Sequence, residues 1–410
     1  MMRRLLLLLA ALLLGGCGTF ADPTEWFAGP NVVKPSELLD LENKVQPQTL
    51  WSRDIGAGSD ELSLNLEPQV RGDIVYVVDA EGLVQALDAK TGAVVWRVEL
   101  DVPASGGPGV GEGLVLIGTS DAEVIALAIE SGAERWRARV SSEVLSVPVA
   151  VNGVVIAHTV DGKLFGLEVT NGNERWRYER EVPVLTLRGS GSPVVSGGTV
   201  YVGMAGGRLL ALRTDNGGLV WDASVTVPGG RSELQRLADI DGDPIILGGG
   251  VFVATYQGEV AALEQSSGRV AWRRKLSSYS RMAADRQGLY VGDADGVVWG
   301  LDLRSGGARW SQDALKHRRL SNIAVVDGLV VAGDFEGYLH WMDNENGSLV
   351  ARTRAGSDPI TTGMQVVGGV LYVQGDGGEL TAVRLPHAET QNAAGHCPGW
   401  APQCWQVHAV

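Results

Sequence analysis

The chain is poor in the residues from which most catalytic and redox sites are built. Of 410 residues only three are cysteine, Cys17, Cys397 and Cys404, and no two are adjacent. A disulfide-stapled scaffold is thereby excluded. The six histidines are scattered, with His158, His317 and His340 in the body and His387, His396 and His408 near the end. None stands at a nucleophile–base spacing, and there is no phosphate-cradling loop and no His/Cys cluster. Positive charge is scarce as well: 34 Lys and Arg face 48 Asp and Glu, a net −14. So acidic a surface argues against nucleic acid as a partner and offers anionic lipid no basic patch. Long apolar runs are missing too. The apolar block at residues 5–14 is ten residues long, too short to span a bilayer. No stretch of the body carries a helical apolar stripe.

Glycine, by contrast, is abundant at 56 residues, and it is periodic. Six glycines of the repeating polar turn are followed four residues later by tryptophan: Gly92/Trp96, Gly132/Trp136, Gly172/Trp176, Gly217/Trp221, Gly268/Trp272 and Gly306/Trp310. A seventh copy, Gly347/Ala351, keeps the spacing but has lost its ring, and Trp51 stands alone 45 residues before Trp96. A period near 40 residues marks a closed or stacked array of one supersecondary unit. In the clearest copy, residues 79–96, a glycine turn opens an alternating apolar run. A polar Asp-Ala-Lys-Thr-Gly turn follows, and a second run ends on tryptophan. Cassettes of this kind start near Gly82, Ala122, Gly162, Gly207, Gly258, Gly296, Gly337 and Gly378, which makes eight. A β-branched or aromatic run precedes each, such as Val75-Tyr-Val-Val.

Short period-2 segments bounded by Gly, Asp and Asn read as antiparallel strands joined by tight turns. Four strands in about 40 residues is the arithmetic of a propeller blade. The fold is expected to be all-β, an eight-bladed β-propeller over residues 47–386. The last cassette, at Gly378, has no glycine-to-tryptophan strand after it, whereas Trp51 lies on a strand with no cassette before it. An N-terminal strand pairing with the last blade would close the ring and remove its exposed edges. Trp51, Trp96, Trp136, Trp176, Trp221, Trp272 and Trp310 are read as structural docking residues on the outer strands. A ring that stacked a ligand would not recur in register in every blade.

Residues 1–16 carry two arginines, the apolar block and a small-residue end, the pattern of a secretory signal. Its removal takes the net charge to −16. Residues 17–46, rich in Pro, Asn and Glu, read as a flexible tether. Residues 387–410 lie beyond the last strand and read as a disordered tail. His396, Cys397, Cys404 and His408 fit none of the strong zinc spacings, and no metal site is assigned. One disulfide between the two tail cysteines is open to the chain in an oxidising compartment.

The stretch Ala86-Leu-Asp-Ala-Lys-Thr-Gly-Ala-Val-Val-Trp96 resembles the tryptophan docking motif of pyrroloquinoline-quinone (PQQ)-like eight-bladed propellers. Leu-Gly-Gly-Cys17 is similar to the bacterial lipobox, whose cysteine becomes a lipidated first residue, and Gly18 after it favours the outer membrane in that resemblance. With the segments Val184-Leu-Thr-Leu-Arg-Gly189, Arg236-Leu-Ala-Asp-Ile-Asp241 and Gly333-Asp-Phe-Glu-Gly-Tyr-Leu-His-Trp-Met342, the chain from Cys17 to about Leu385 resembles the BamB family. Those proteins are lipoproteins of the outer-membrane β-barrel assembly (BAM) machinery. The resemblance implies a non-enzymatic scaffold without cofactor, lipid-anchored at Cys17, on the periplasmic side of the outer membrane. It implies binding to BamA, through its POTRA domains, and membership with the other BAM subunits. A separate expectation, resting on the strand-rich architecture alone, is that a blade edge or rim also holds nascent outer-membrane proteins by strand addition.

After Trp96 the repeat stretches in two places: Trp176 to Trp221 spans 45 residues and Trp221 to Trp272 spans 51. Extra length in a propeller goes into rim loops, where such scaffolds carry function. In the resembling family, residues matching Leu185, Leu187, Arg188, Asp239 and Asp241 contact BamA. An apolar pair flanked by Arg and Asp suits a protein interface, although inward packing and turn-stabilising ion pairs also explain such residues. The alternative within the superfamily is a periplasmic PQQ-dependent dehydrogenase-like quinoprotein. That chemistry needs carboxylates converging on calcium and usually an adjacent cysteine pair. The pair is absent, and carboxylates such as Asp88 and Asp302 fall in the repeating turns.

Overall fold

The computed structural model describes residues 33–59, 64–180, 191–226, 238–361 and 363–386. Cys17, Leu185, Leu187, Arg188 and the tail with Cys397 and Cys404 lie outside these residues. Among the described residues the regular elements are strands, and they form eight sheets within the compact unit Ser36–Val410. Blade 1 is built from Gln69–Arg71, Ile74–Val78, Leu83–Asp88 and Val94–Glu99. Blades 2 to 7 repeat that order over residues 104–139, 149–178, 194–224, 245–275, 283–312 and 323–354. Blade 8 takes Met364–Val367, Val370–Gln374 and Glu379–Arg384, and its outer strand is Gln48–Asp54 from the other end of the chain. That strand runs antiparallel to Glu379–Arg384 with Trp51 opposite Ala382. One apolar cluster, holding Trp51, Leu380 and Tyr372 with Val75, Val77 and Leu87, packs blade 8 against blade 1.

The turn chemistry legible in the sequence works as local hydrogen bonding. Asp88 Oδ1 accepts from the backbone N–H groups of Lys90 (3.1 Å) and Thr91 (2.9 Å) and from the Thr91 hydroxyl (2.7 Å). The Thr91 bonds hold this exposed carboxyl below the usual range. Asp302 repeats the arrangement with Arg304 and Ser305. Such side chains satisfy turn donors that no strand partner reaches.

Each docking indole faces the following blade. The Trp221 Nε1–H donates to the Gln265 carbonyl at 3.0 Å, and its ring lies on Gly268. The other six do the same, with Nε1–O distances of 2.9 to 3.0 Å to Ala89, Ile129, Val169, Thr214, Leu303 and Asn344. The four-residue spacing therefore joins two roles: the glycine receives the preceding blade's ring, and the tryptophan covers the next blade's glycine. A Cβ on Gly268 would sit 2.6 Å from Trp221 Cε3, and the residue's φ is +69°, so both space and conformation demand glycine there. A register shift falls just before each of these tryptophans, as between Glu134 and Trp136. Such a bulge strengthens the local twist and re-aims the side chain.

Blade 7 departs from the pattern. The ring missing at Ala351 is transposed rather than lost: Trp341, on the neighbouring strand, is the cross-strand partner of Ala351 and is 0% exposed. Elsewhere the tryptophan lies on the outer strand opposite a small residue, for example Trp136 opposite Ala126. The reason is local to the seam. Blade 8 has no turn between its third and outer strands, because Glu379–Arg384 and Gln48–Asp54 are far apart in the sequence. No glycine turn is there to receive an outer-strand indole, and Trp341 fills the interface from within beside Ala355, Ile360, Leu371 and Leu385.

The segment expected as a free tether as far as Gln46 is held from Ser36 onward. Its Lys44 N–H donates to Val350 O at 2.7 Å, and the Asn43 side chain both accepts from Arg352 N–H and donates to Arg352 O. Nearer its start, Ser36 N–H donates to Lys316 O, and the Arg318 guanidinium donates to Ser36 O. Backbone groups of a half-buried strand edge need partners, and this segment supplies them.

Antiparallel order fixes two rims. Turns between the first and second strands, and between the third and fourth, share one rim. The second-to-third turns and the connections from blade to blade share the other, and the two stretched connections belong to that second rim.

Candidate functional site

Of the five residues proposed to meet a partner, the described ones, Asp239 and Asp241, lie at the end of the connection entering blade 5. Their environments differ. Asp239 is 3% exposed, and its Oδ1 accepts from the Gly206 N–H at 2.9 Å in the turn of blade 4. Its backbone carbonyl accepts from Tyr256 N–H in blade 5. It fastens two blades together, the turn-stabilising role that its residue type also allowed. Asp241 is half-buried, and its Oδ1 is shielded from water with no hydrogen-bond partner among the described residues. Burial, with the Asp239 charge adding to it, pushes the Asp241 carboxyl up to about 7. A desolvated carboxylate beside another acid costs stability in the isolated chain. Groups of that kind cluster at functional sites.

Asp241 lines a cavity of about 400 Å³ together with Glu67, Asp243, Tyr279, Arg281, Arg319 and Asn322. Tyr279 is 45% exposed at its edge. A buried charge network underlies it. Arg281 forks between Glu67, to which it is ion-paired through Nη1, and Asp243, whose Oδ2 lies 2.6 Å from Nη2. The other Glu67 oxygen accepts from Asn322 Nδ2 at 3.0 Å. Burial pushes the Glu67 carboxyl up, and the adjacent guanidinium works against that shift. Asp243 Oδ1 accepts the Ser192 N–H at 2.6 Å, which ties the end of one stretched connection to the other.

Glu67, Arg281 and Asp243 are absent from the sequence-based site. One signal did point to the first of them. The interval from Trp51 to Trp96 is also stretched to 45 residues, and the extra length holds Asn65–Leu66, a strand that pairs parallel to Ala104–Gly111 as a fifth member of blade 2's sheet.

The described histidines His158 and His340 sit in separate blades. His158, on a blade 3 strand, is buried beside the Gly191 carbonyl, and burial holds its pKa low. His340 in blade 7 is 0% exposed, and burial lowers it too. Its Nε2 lies 2.8 Å from Asp334 Oδ2, the oxygen that also accepts from Arg318 Nε at 2.8 Å. This cluster joins two turns and the Ser36 carbonyl. Among the described residues no three His, Cys, Asp or Glu side chains come together as a metal site.

A family model described as outer membrane protein assembly factor BamB matches residues 43–105, 80–312 and 294–391. The outer membrane protein assembly factor BamB of Pseudomonas aeruginosa is 52% identical over 351 residues, covering 86% of this chain and 92% of that protein. The crystal structure of BamB from Moraxella catarrhalis superposes with a TM-score of 0.76 at 26% identity, over 83% of this chain and 100% of that one. A quinohemoprotein alcohol dehydrogenase from Comamonas testosteroni superposes with a TM-score of 0.66, over 84% of this chain and 78% of that one. At 14% identity that likeness concerns the fold alone.

Proposed function

The chain belongs to the BamB family of outer membrane protein assembly factors, and from that membership we propose that it is a non-enzymatic scaffold of the β-barrel assembly machinery. It helps assemble and insert β-barrel proteins at the outer membrane, and no catalytic step is assigned to it. The finer reading is that the rim carrying the stretched connections docks on the POTRA domains of BamA. Leu185, Leu187 and Arg188 supply apolar and cationic contacts, Asp241 supplies an acceptor, and Asp239 holds the Asp241 loop against blade 4. Lipidation at Cys17 anchors the protein on the periplasmic side, with multiple acyl chains giving a durable attachment.

Asp241 is the observation that supports the rim most directly. Its Oδ1 is shielded from water and without a hydrogen-bond partner among the described residues, a cost that a protein partner would offset by supplying a donor. Affinity capture from membranes tests the site. Leu185→Ala/Arg188→Ala and Asp239→Ala/Asp241→Ala should each lose a large barrel protein from the captured set while remaining folded. Capture equal to wild type by both variants would remove this rim from the partner interface.

A further inference from the structure

The two stretched connections come from different blade junctions, yet a docking rim needs them at one fixed separation. Among the described residues the Ser192 N–H to Asp243 contact of 2.6 Å spans them. Asp243 is in turn held by Arg281, from the connection between blades 5 and 6, and Arg281 is anchored on Glu67. Glu67 comes from the segment ahead of blade 1. It is 3% exposed, its backbone N–H donates to Gly107 O at 3.0 Å, and its side chain reaches Asn322 ahead of blade 7. Asn65 of the same segment donates to Ser192 Oγ at 3.1 Å, so Ser192 is gripped from both sides. We propose that Glu67 and Arg281 are positioning residues of the partner rim, setting the two long connections at the separation that docking requires. This rests on the assignment of that rim to BamA.

The charge count explains why Arg281 carries most of the effect. One guanidinium stands between Glu67 and Asp243, with Asp241 close by on the same cavity wall. Removing it takes away the guanidinium paired with both Glu67 and Asp243 and leaves these acidic groups facing one another, and the Asp243 loop is pushed from its place. Lysine keeps the charge but has no planar fork with which to hold two carboxylates at once. Glu67→Gln preserves the shape and the Asn322 contact while weakening the grip on Arg281. A loop that must find its docked position at each encounter binds more weakly than one already held there.

The test measures affinity of the full-length protein for the POTRA region of BamA, alongside amide hydrogen exchange of the free protein. Arg281→Met is expected to weaken binding at least tenfold, Arg281→Lys to recover part of the loss, and Glu67→Gln to weaken binding about threefold. Exchange should accelerate at Ser192 and at residues 240–243 and stay as in wild type on the blade strands, for example 200–203. A merely structural role would instead raise exchange across the blades together with any loss of affinity, and that result overturns the proposal. So does wild-type affinity in Arg281→Met when Asp239→Ala/Asp241→Ala binds poorly, an outcome that leaves the rim assignment standing. Wild-type affinity in both variants rejects the rim assignment itself and the proposal with it.

Discussion

Replacing Asp241 by asparagine separates what this side chain costs the isolated protein from what it gives a complex. Its carboxyl keeps its proton to about pH 7 in the folded chain, against about 3.9 in an unfolded one. Below the unfolded value both states are protonated, and the residue contributes no pH dependence. Between the two values the folded state binds more protons than the unfolded, so its stability falls as pH rises. Above about pH 7 the whole cost is present. The gap corresponds to about 4 kcal/mol as an upper limit, and water around a half-buried group reduces it to about 1–3 kcal/mol. The amide introduced by Asp241→Asn cannot ionise and escapes the cost. Thermal unfolding of the full chain should therefore show Asp241→Asn melting about 2–4 °C above wild type at pH 8, with the difference shrinking towards pH 4. Comparing the two proteins at each pH cancels His158 and His340, whose low values shift stability in the opposite sense. The same variant should capture less BamA at neutral pH. If Asp241→Asn melts below wild type at pH 8, the carboxylate has a stabilising partner, and the argument from an unmet acceptor fails.

The fit of ring on glycine predicts a coupled pair at the seam between blades 4 and 5. Gly268→Ala should cost about 1–2 kcal/mol for its backbone conformation and about 1–3 kcal/mol more for the clash with Trp221; only the first part should survive in a Trp221→Ala background. Equal costs in both backgrounds, measured by thermal unfolding, would mean that the ring does not select glycine. At blade 7, Trp341→Ala should lose about 3–5 kcal/mol, and adding Ala351→Trp should recover at least about 1 kcal/mol of it by restoring a ring to the seam. Recovery will be incomplete because blade 8 lacks the receiving turn; strict additivity in a double-mutant cycle argues against the transposition. Arg318→Met strips the sealed Asp334 of its cation and should cost about 3–5 kcal/mol, while proteolysis within residues 36–43 accelerates as the Ser36 carbonyl is released. Saturating pyrroloquinoline quinone with calcium should leave the melting temperature unchanged, since a ligand bound only by the folded state must raise it.

The repeat itself was legible residue by residue. The Gly92/Trp96 spacing, the Asp88 turn and the alternating runs reported local conformation, and local conformation is what sequence patterns encode. The reason for the spacing was not legible, because its two ends answer to different neighbours: Gly268 to the ring of the preceding blade, Trp272 to the turn of the following one. The transposed ring of blade 7 was hidden for a related cause. Exchanging a large and a small residue across two strands leaves the packed volume alike, and only the pairing of Trp341 with Ala351 exposes the exchange.

The stretched intervals located the candidate site, but they gave no account of what holds it. Period and turn chemistry by themselves determined an all-β array of eight units and the rim on which its longest connections lie, since both follow from counting residues along one chain. Tertiary structure alone decided that Asp239 fastens blade 4 while Asp241 is left without a partner among the described residues, two positions apart in sequence. It alone brought Glu67, Ser192, Asp243 and Arg281 into one network. Long-range charge pairs carry no periodic signal in a sequence, because their partners are chosen by the closing of a ring and not by distance along the chain.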